Sequence, residues 1–182
     1  MIEFGCGDGR QLRLAAYPSY LGLDVSPTAV QLCRRMSKGD KAKSFEELSR
    51  YGGETADLAL SLDTIYHLVE DRVYHDYIAR LMSAATRFVA IYSTNIDLID
   101  EAGARHVRHR RFAAWIDRHA SNWRLKANIP TDTRTGTPSK GARFRTSTSG
   151  SAGTERARPG RGSQLGDQVL FLSQPAVWRC SR

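Results

Sequence analysis

The chain has 182 residues, of which 41% are hydrophobic, and its formal net charge is +8. This composition is sufficient for one domain with a sizeable core, and it excludes a chain that is disordered throughout. No apolar run approaches the roughly 20 residues that span a bilayer, and the start lacks a secretory signal pattern. We therefore expect a cytoplasmic protein without a membrane segment. Three scattered cysteines, without CxxC spacing, predict neither a disulfide framework nor a metal site.

The positive charge is concentrated in the last third of the chain. Residues 1–128 carry a net charge of +2, and residues 129–182 carry +6. From Pro130 to Ser163 the only large apolar residue is Phe144, so this stretch lacks the material for a core. We predict a domain over residues 1–128 and a largely disordered basic tail over residues 129–182. Nucleic-acid binding through this tail is an alternative that we do not favour.

Strands and helices are predicted to alternate along residues 1–128. A strand ends at Ile2-Glu3-Phe4, a short helix covers Arg10 to Ala16, and a second strand covers Tyr20 to Asp24. A helix then begins with Ser26 as N-cap and Pro27 at the first helical position. The remaining predicted elements are a strand over Asp57–Asp63, a helix from about Asp71 with Val73, Tyr77, Leu81 and Ala85 on one face, a strand over Arg87–Tyr92, a helix marked by Phe112, Trp115 and His119, and a strand at Trp123–Leu125.

This alternation predicts an α/β fold with a doubly wound, mostly parallel sheet and helices on both faces. A short apolar run at Val169–Leu172 is long enough for an isolated strand within the tail.

A glycine-rich turn between the first strand and the first helix carries the strongest functional signal. Gly5, Gly7 and Gly9 follow Glu3, and Asp24 closes the next strand. Glycines let the backbone turn tightly and approach a ligand, while an acid in this later position accepts hydrogen bonds from ribose hydroxyls. The pattern therefore predicts a nucleoside site at the carboxyl ends of parallel strands.

The identity of the nucleoside follows from two residues near the turn. The dinucleotide pattern GxGxxG requires a glycine where this chain has Arg10, which argues against a nicotinamide oxidoreductase. Glu3 would repel a pyrophosphate but would suit a ligand that carries an ammonium group. Both observations favour S-adenosylmethionine over NAD.

With this glycine turn and Asp24, the chain resembles the class I S-adenosylmethionine-dependent methyltransferases. Glu3 to Gly9 matches the first motif of that family, acid-x-Gly-x-Gly-x-Gly, and Leu21 to Ser26 resembles the end of its second strand. Asp57 to Asp63, followed by Tyr66-His67-Leu68, is similar to the family's fourth strand and the loop after it. The resemblance covers residues 1 to about 128 and implies a Rossmann-like fold that uses S-adenosylmethionine.

The resemblance also implies roles for individual residues. The cofactor would be bound by the first motif, by the end of the second strand and by the end of the fourth. The implied cofactor-binding residues are Glu3, Gly5, Cys6, Gly7, Gly9, Asp24, Val25, Leu62 and Asp63. Tyr66 and His67 are the candidate catalytic residues, with His67 as a general base or as a loop histidine bonded to the backbone. The implied partner is a methyl acceptor, which we expect to be a small molecule.

The chain departs from the family pattern at both ends, so we expect an incomplete domain. It begins inside the first strand, and the basic tail follows Trp123–Leu125 where a closing antiparallel hairpin would be expected. No clear adenine-contacting acid follows the third strand, since Glu46 and Glu47 fit a surface helix equally well. The alternative function is therefore a truncated nucleoside-binding domain without turnover.

His106 and His109 lie in an arginine-rich segment, Arg105–Arg111. The nearby arginines disfavour a divalent metal, so we expect a solvated helix start, with a phosphate or acidic-substrate contact as the alternative.

Overall fold

A computed structural model describes residues 1–14, 16–97, 106–128 and 173–181 of the chain. Its centre is a seven-stranded sheet in the order β3-β2-β1-β4-β5-β7-β6. The strands are β1 (Ile2–Phe4), β2 (Tyr20–Asp24), β3 (Lys43–Glu47), β4 (Ala56–Leu62), β5 (Ala85–Thr94), β6 (Trp123–Asn128) and β7 (Ser173–Cys180).

The first five strands are parallel, and β7 runs antiparallel between β5 and β6. Successive strands are added on one side of β1 as far as β3, and on its other side from β4 onwards. The sheet is therefore doubly wound, as the alternation of elements predicted. Ligands of such sheets bind at the carboxyl ends of strands beside this reversal. The fold is therefore the Rossmann-like fold that the resemblance implied, and a ligand site is expected at the ends of β1, β2 and β4.

Three α-helices pack on the sheet: α1 (Pro27–Met36), α2 (Asp71–Ser83) and α3 (Phe112–His119). The α1 helix begins as predicted, because the Ser26 side chain accepts a hydrogen bond from the Ala29 amide and Pro27 occupies the first turn. Shorter 3₁₀ helices cover Arg10–Leu14, Leu48–Arg50 and Ile65–His67.

The two faces of the sheet have separate cores of unequal size. The smaller cluster combines Tyr20 and Phe45 with Val30 and Cys33 of α1. The larger cluster includes the buried faces of α2 and α3 together with the hairpin formed by β6 and β7. Most of the hydrophobic stabilisation thus lies on the α2 and α3 side.

A buried tyrosine fixes α2 against the two central strands. The Tyr77 hydroxyl donates to the Phe4 carbonyl at 2.9 Å and lies 2.7 Å from the Ser61 hydroxyl. Because the phenol has one proton, Ser61 is the donor of the second bond. Burial raises the pKa of Tyr77, so the phenol stays protonated and the junction is maintained at neutral pH. This junction holds α2 directly beneath the end of β1.

Three predicted elements differ in detail from the structure. The buried face of α2 carries Tyr74, Tyr77, Ile78, Leu81 and Met82, whereas Val73 is 46% exposed. Ala85 belongs to β5 and not to the helix, because the backbone becomes extended directly after Ser83 and Ala84. Glu46 and Glu47 lie in strand β3. The first predicted helix is a 3₁₀ helix that ends at Leu14.

The predicted domain boundary at residue 128 is wrong for one segment. Ser173–Cys180 pairs with β5 on one side and β6 on the other, so the chain does form the closing antiparallel pair that the sequence did not predict. Pairing of this kind depends on contacts far along the chain, and the local sequence gives little sign of it. The strand predicted at Val169–Leu172, and the rest of residues 129–172, lie outside the described residues.

Two features are absent from the part of the chain that the structure describes. No helix there is long and apolar enough to cross a membrane. No group of three or more His, Cys, Asp or Glu side chains in the same residues is placed to hold a metal ion.

The Trp178→Ala substitution tests whether β7 is part of the core. Trp178 is 1% exposed, and its ring meets Phe112 edge to face at 5.7 Å. Removing such a ring costs about 3–5 kcal/mol, so we expect a large fall in the free energy of unfolding in urea. Arg179→Ala, at an exposed position on the same strand, should change it by less than about 0.5 kcal/mol. Equal, small effects of both variants would contradict the assignment of β7 to the sheet.

Candidate functional site

The turn after β1 is built on three glycines with positive φ angles: 82° at Gly5, 54° at Gly7 and 71° at Gly9. Residues with side chains rarely adopt this region, so glycine at these three positions favours the turn. The amides of Gly5 and Cys6 both donate to the Leu23 carbonyl, at 2.7 and 3.0 Å. These bonds fold the turn over the end of β2, where Asp24 follows.

The three glycines have different surroundings. A Cβ atom on Gly5 would lie 2.3 Å from the Thr64 hydroxyl oxygen, and one on Gly9 would lie 2.9 Å from the Cys33 sulfur. A Cβ atom on Gly7 would meet no atom within 4 Å. Gly5 and Gly9 are thus required for packing within the chain, whereas Gly7 leaves open space where a ligand can approach the backbone.

Asp24 connects the glycine turn to the start of α1. One carboxylate oxygen accepts a hydrogen bond from the Gly7 amide at 2.8 Å, and the other accepts one from the Ser26 amide at 2.9 Å. A carboxylate has about four lone-pair sites, so each oxygen of this half-buried side chain keeps the capacity for another donor. Vicinal hydroxyls of a ribose are donors of the right kind.

The loop after β4 forms the opposite side of the site. Asp63 has a φ angle of 53°, and its amide donates to the Tyr92 carbonyl at 2.9 Å. Burial raises the pKa of the Asp63 carboxyl, while a hydrogen bond from Tyr66 opposes that shift. Burial and the nearby Asp63 raise the pKa of Tyr66 to about 12. Tyr66 therefore stays protonated near neutral pH and is a donor.

His67 is the exposed member of this loop. Its ring contacts Tyr66, with centroids 4.5 Å apart, and stacks on His106 at 6.1 Å. Since the imidazole is accessible to solvent, it is able to accept a proton from a bound molecule. Of the two predicted catalytic residues, His67 alone has both the exposure and the chemistry of a base.

A cavity of about 500 Å³ lies at the carboxyl ends of β1, β2 and β4. Its volume falls within the range of small-molecule sites. Five of the residues predicted from sequence line it: Gly5, Asp24, Val25, Asp63 and His67. Val25 is 78% exposed, which leaves an apolar side chain available to cover a flat ring.

Sequence reasoning missed the far wall of this cavity. It is formed by Thr64 and Leu68 in the loop after β4, by Leu48 after β3, and by one face of α2. The α2 face contributes Val73, Asp76, Tyr77 and Arg80. Thr64 directly follows Asp63, and that adjacency was an available signal. Which α2 residues face the cavity depends on the rotation of the helix about its axis. The spacing of its hydrophobic residues predicted that rotation only in part.

Glu3 and Cys6 lie behind the turn and do not line the cavity. Glu3 is 4% exposed and accepts a hydrogen bond of 2.6 Å from the Tyr20 hydroxyl. Burial raises the pKa of Glu3, and the bond from Tyr20 opposes that shift. Burial and neighbouring acidic groups also raise the pKa of Cys6, which argues against a reactive thiol. In this structure Glu3 therefore supports the turn from inside the core.

The remaining predicted residues divide in the same way. Gly7, Gly9, Leu62 and Tyr66 belong to the turn, to β4 and to the loop after it, but they do not contribute to the cavity wall. The helix start predicted at His106 and His109 is wrong, and of these two residues only His106 is exposed to solvent. His109 is 8% exposed, its Nδ1 lies 2.7 Å from the Thr94 hydroxyl, and α3 begins only at Phe112.

Comparisons with known proteins agree with this geometry. A family model described as a methyltransferase domain matches residues 2–90. No match was found among curated protein sequences. The matched span includes the glycine turn, Asp24 and the loop after β4, so residues 2–90 are similar to the class I S-adenosylmethionine-dependent methyltransferases in both sequence pattern and fold.

Several solved methyltransferase structures have a similar fold. N-methyltransferase NodS from Bradyrhizobium japonicum WM9, in complex with S-adenosylhomocysteine, has a TM-score of 0.62 and 14% identity, over 100% of this chain and 77% of that one. The methyltransferase domain of bacterial CtHen1 has a TM-score of 0.57 and 18% identity, over 98% and 88%. Magnesium protoporphyrin IX methyltransferase from Synechocystis PCC 6803, with bound S-adenosylmethionine, has a TM-score of 0.54 and 15% identity, over 100% and 69%.

Gly5→Ala and Gly7→Ala should separate the structural glycine from the open one. Both substitutions place a side chain at positive φ, at a cost of about 1–2 kcal/mol. Only Gly5→Ala adds the clash with Thr64. We therefore expect a clearly larger loss of unfolding free energy in urea for Gly5→Ala. Equal losses would show that Thr64 does not constrain the turn.

Burial of Glu3 should give unfolding a distinct pH dependence. Because the folded-state pKa is raised above the ordinary value of 4.5, the folded state binds this proton more tightly than the unfolded state does. The contribution of Glu3 to stability is thus complete below about pH 4.5 and is lost as the pH rises through the folded-state pKa. Glu3→Gln keeps an acceptor for Tyr20 and should remove this decline in urea midpoint between pH 4.5 and 8. Glu70→Gln, at an exposed position, is the control; an unchanged slope in Glu3→Gln would refute the assignment.

Proposed function

We propose that the chain transfers a methyl group from S-adenosylmethionine to a small-molecule acceptor at the cavity between the glycine turn and the loop after β4. The observation that carries this proposal is the placement of Asp24. Its carboxylate is fixed by two backbone amides of the chain and lines the cavity with unused acceptor capacity. That arrangement fits a ribose with two adjacent hydroxyls.

The chemistry of the other walls also fits the nucleoside. The exposed Val25 and the partly buried Leu48 give apolar surfaces for a base, and the open space at Gly7 allows close approach to the backbone. We assign the ribose to Asp24, the base to Val25 and the reacting end of the cofactor to the loop at Asp63. Gly5, Gly7 and Gly9 shape the turn, with Glu3 and Cys6 supporting it from the core.

When bound, S-adenosylmethionine supplies a methyl group that is already activated by its positively charged sulfur. The protein's main task is therefore to orient the acceptor, and orientation alone can account for most of the rate enhancement. To His67 we assign the role of accepting the proton of an oxygen or nitrogen nucleophile. Tyr66 acts as a positioning residue, because its protonated hydroxyl bonds to Asp63. Asp63, half-buried, holds the loop at the mouth of the cavity.

Asp24→Ala should weaken cofactor binding much more than the loss of an exposed carboxylate elsewhere in the sheet. In calorimetric titration we expect the wild-type chain to bind S-adenosylmethionine and S-adenosylhomocysteine but not NAD. Losing hydrogen bonds to a charged acceptor should weaken binding by at least about tenfold. Asp57→Ala, an exposed acid in the first half of β4, should bind like the wild type.

Because Asp24 also supports the glycine turn, a second variant isolates the ligand contact. Val25→Ala removes two exposed carbons and should leave the urea midpoint unchanged while it weakens S-adenosylhomocysteine binding roughly tenfold. Leu125→Ala, at a position 47% exposed on β6, is its control. A folded chain that binds neither S-adenosyl compound would refute the proposed function.

A further inference from the structure

A second cavity of about 540 Å³ lies between the start of α2 and helix α3. Four arginines line this arginine groove: Arg108, Arg110, Arg111 and Arg118. Two carboxylates, Asp71 and Asp97, also line it. The groove is separate from the cavity at Asp24, and the proposed cofactor site makes no use of it.

The carboxylates compensate only part of this positive charge. Asp71 pairs with Arg108 at 3.1 Å and with Arg110 at 3.0 Å, so one acid serves two arginines. The Asp97 carboxylate accepts a hydrogen bond from the backbone amide of Arg111 at 3.0 Å. Within the described ranges, neither Arg111 nor Arg118 has an acidic partner. As far as the described residues go, these two exposed guanidinium groups keep their donors for an anion.

Arg110 makes the floor of the groove rigid. Its side chain is 10% exposed and donates to the Leu68 and Val69 carbonyls, at 2.6 Å each. The guanidinium also lies 4.5 Å from the Tyr74 ring centroid, a cation–π contact. Its Nε is buried and has no acceptor among the residues that the structure describes. A fixed, incompletely compensated cation beneath an open groove favours a bound anion.

Trp115 gives the groove a flat apolar wall between the two exposed arginines. It follows Arg111 by four positions and precedes Arg118 by three, so all three side chains lie along one face of the α3 segment. The indole stacks on His119 at 4.6 Å and on His75 at 6.2 Å, which holds its plane in place. An aromatic wall flanked by cations suits a molecule that combines a ring with an anionic group.

The arginine groove adjoins the proposed reaction site through one short loop. His67 and Leu68 line the cavity at Asp24, and Val69, the next residue, lines the groove. The Arg108 amide also donates to the Tyr66 carbonyl at 2.8 Å. A molecule seated in the groove would therefore need to extend past only this loop to approach His67.

We infer that the arginine groove binds the anionic group of the methyl acceptor, and that the acceptor is a small aromatic molecule carrying a phosphate or a carboxylate. This inference rests on the proposed function, because it is that function which makes the bound molecule a methyl acceptor. Arg111 and Arg118 bind the anion, Trp115 stacks on the ring, and Arg110 holds the loop that separates the two cavities.

Calorimetric titrations of the full chain test this inference with three simple probes. Phenyl phosphate and benzoate carry a ring and an anion, whereas phenol carries the ring alone. We expect binding of at least one anionic probe, and at least tenfold weaker binding of phenol. The double variant Arg111→Ala/Arg118→Ala should weaken the anionic probe at least tenfold. A preference between the two anionic probes distinguishes a phosphate from a carboxylate.

The matched control is Arg35→Ala, which removes an exposed arginine from α1. It should leave probe binding unchanged, and the double variant should bind S-adenosylhomocysteine like the wild type. Equal probe binding by the wild type, the double variant and the control would overturn the groove assignment even if S-adenosylhomocysteine binds.

Two further outcomes separate this inference from the proposed function. In the first, S-adenosylhomocysteine fails to bind while binding of the anionic probe still requires Arg111 and Arg118. That result would support the anion site and refute the function proposed for the neighbouring cavity. If a short single-stranded oligoribonucleotide binds through the same arginines more tightly than every small probe, the small-molecule assignment is overturned in favour of a nucleic-acid partner.

Discussion

The carboxylate of Asp24 is the interaction on which the proposed site depends. It joins the glycine turn to the first turn of α1 through the Gly7 and Ser26 amides, at 2.8 and 2.9 Å. These bonds satisfy backbone donors that would otherwise lack partners at the end of β2. The same carboxylate faces the cavity, so one side chain both shapes the turn and offers acceptors to a ligand. Structural support and the proposed ligand contact are therefore difficult to separate at Asp24, whereas Val25 is an exposed residue of the cavity wall.

The surrounding residues divide between support and contact according to burial. Glu3 and Tyr20 lie in the core beneath the turn, and the Gly5 backbone packs against Thr64. The open space at Gly7 and the exposed Val25 face outward. On the far side, the bonds of Tyr77 to β1 and β4 place α2 as the second wall. A rigid interior beneath an open surface is the arrangement expected for a preformed small-molecule site.

Local sequence signals predicted the elements near the site and failed where distant contacts decide the structure. The span Tyr20–Asp24 and the Ser26 cap are as predicted, because strand composition and capping act over a few residues. Strand β7 was missed because its pairing partners, β5 and β6, are far away in sequence. Glu3 was expected beside a ligand, yet its side chain points into the core, since neighbouring residues of a strand alternate between faces. For the arginine-rich segment the sequence offered a phosphate or acidic-substrate contact as an alternative, but it did not predict the groove itself, because the groove's walls come from two separate helices.

The proposed function depends above all on binding of the nucleoside of S-adenosylmethionine at the turn that Asp24 fixes. The most direct test is to follow the backbone amide signals of the labelled chain by NMR during titration with S-adenosylhomocysteine. If the nucleoside binds there, the largest shift changes will occur at Gly7, Val25 and Thr64, with little change at Arg111 and Arg118. Changes confined to the arginine groove, or none at all at saturating ligand, would contradict it.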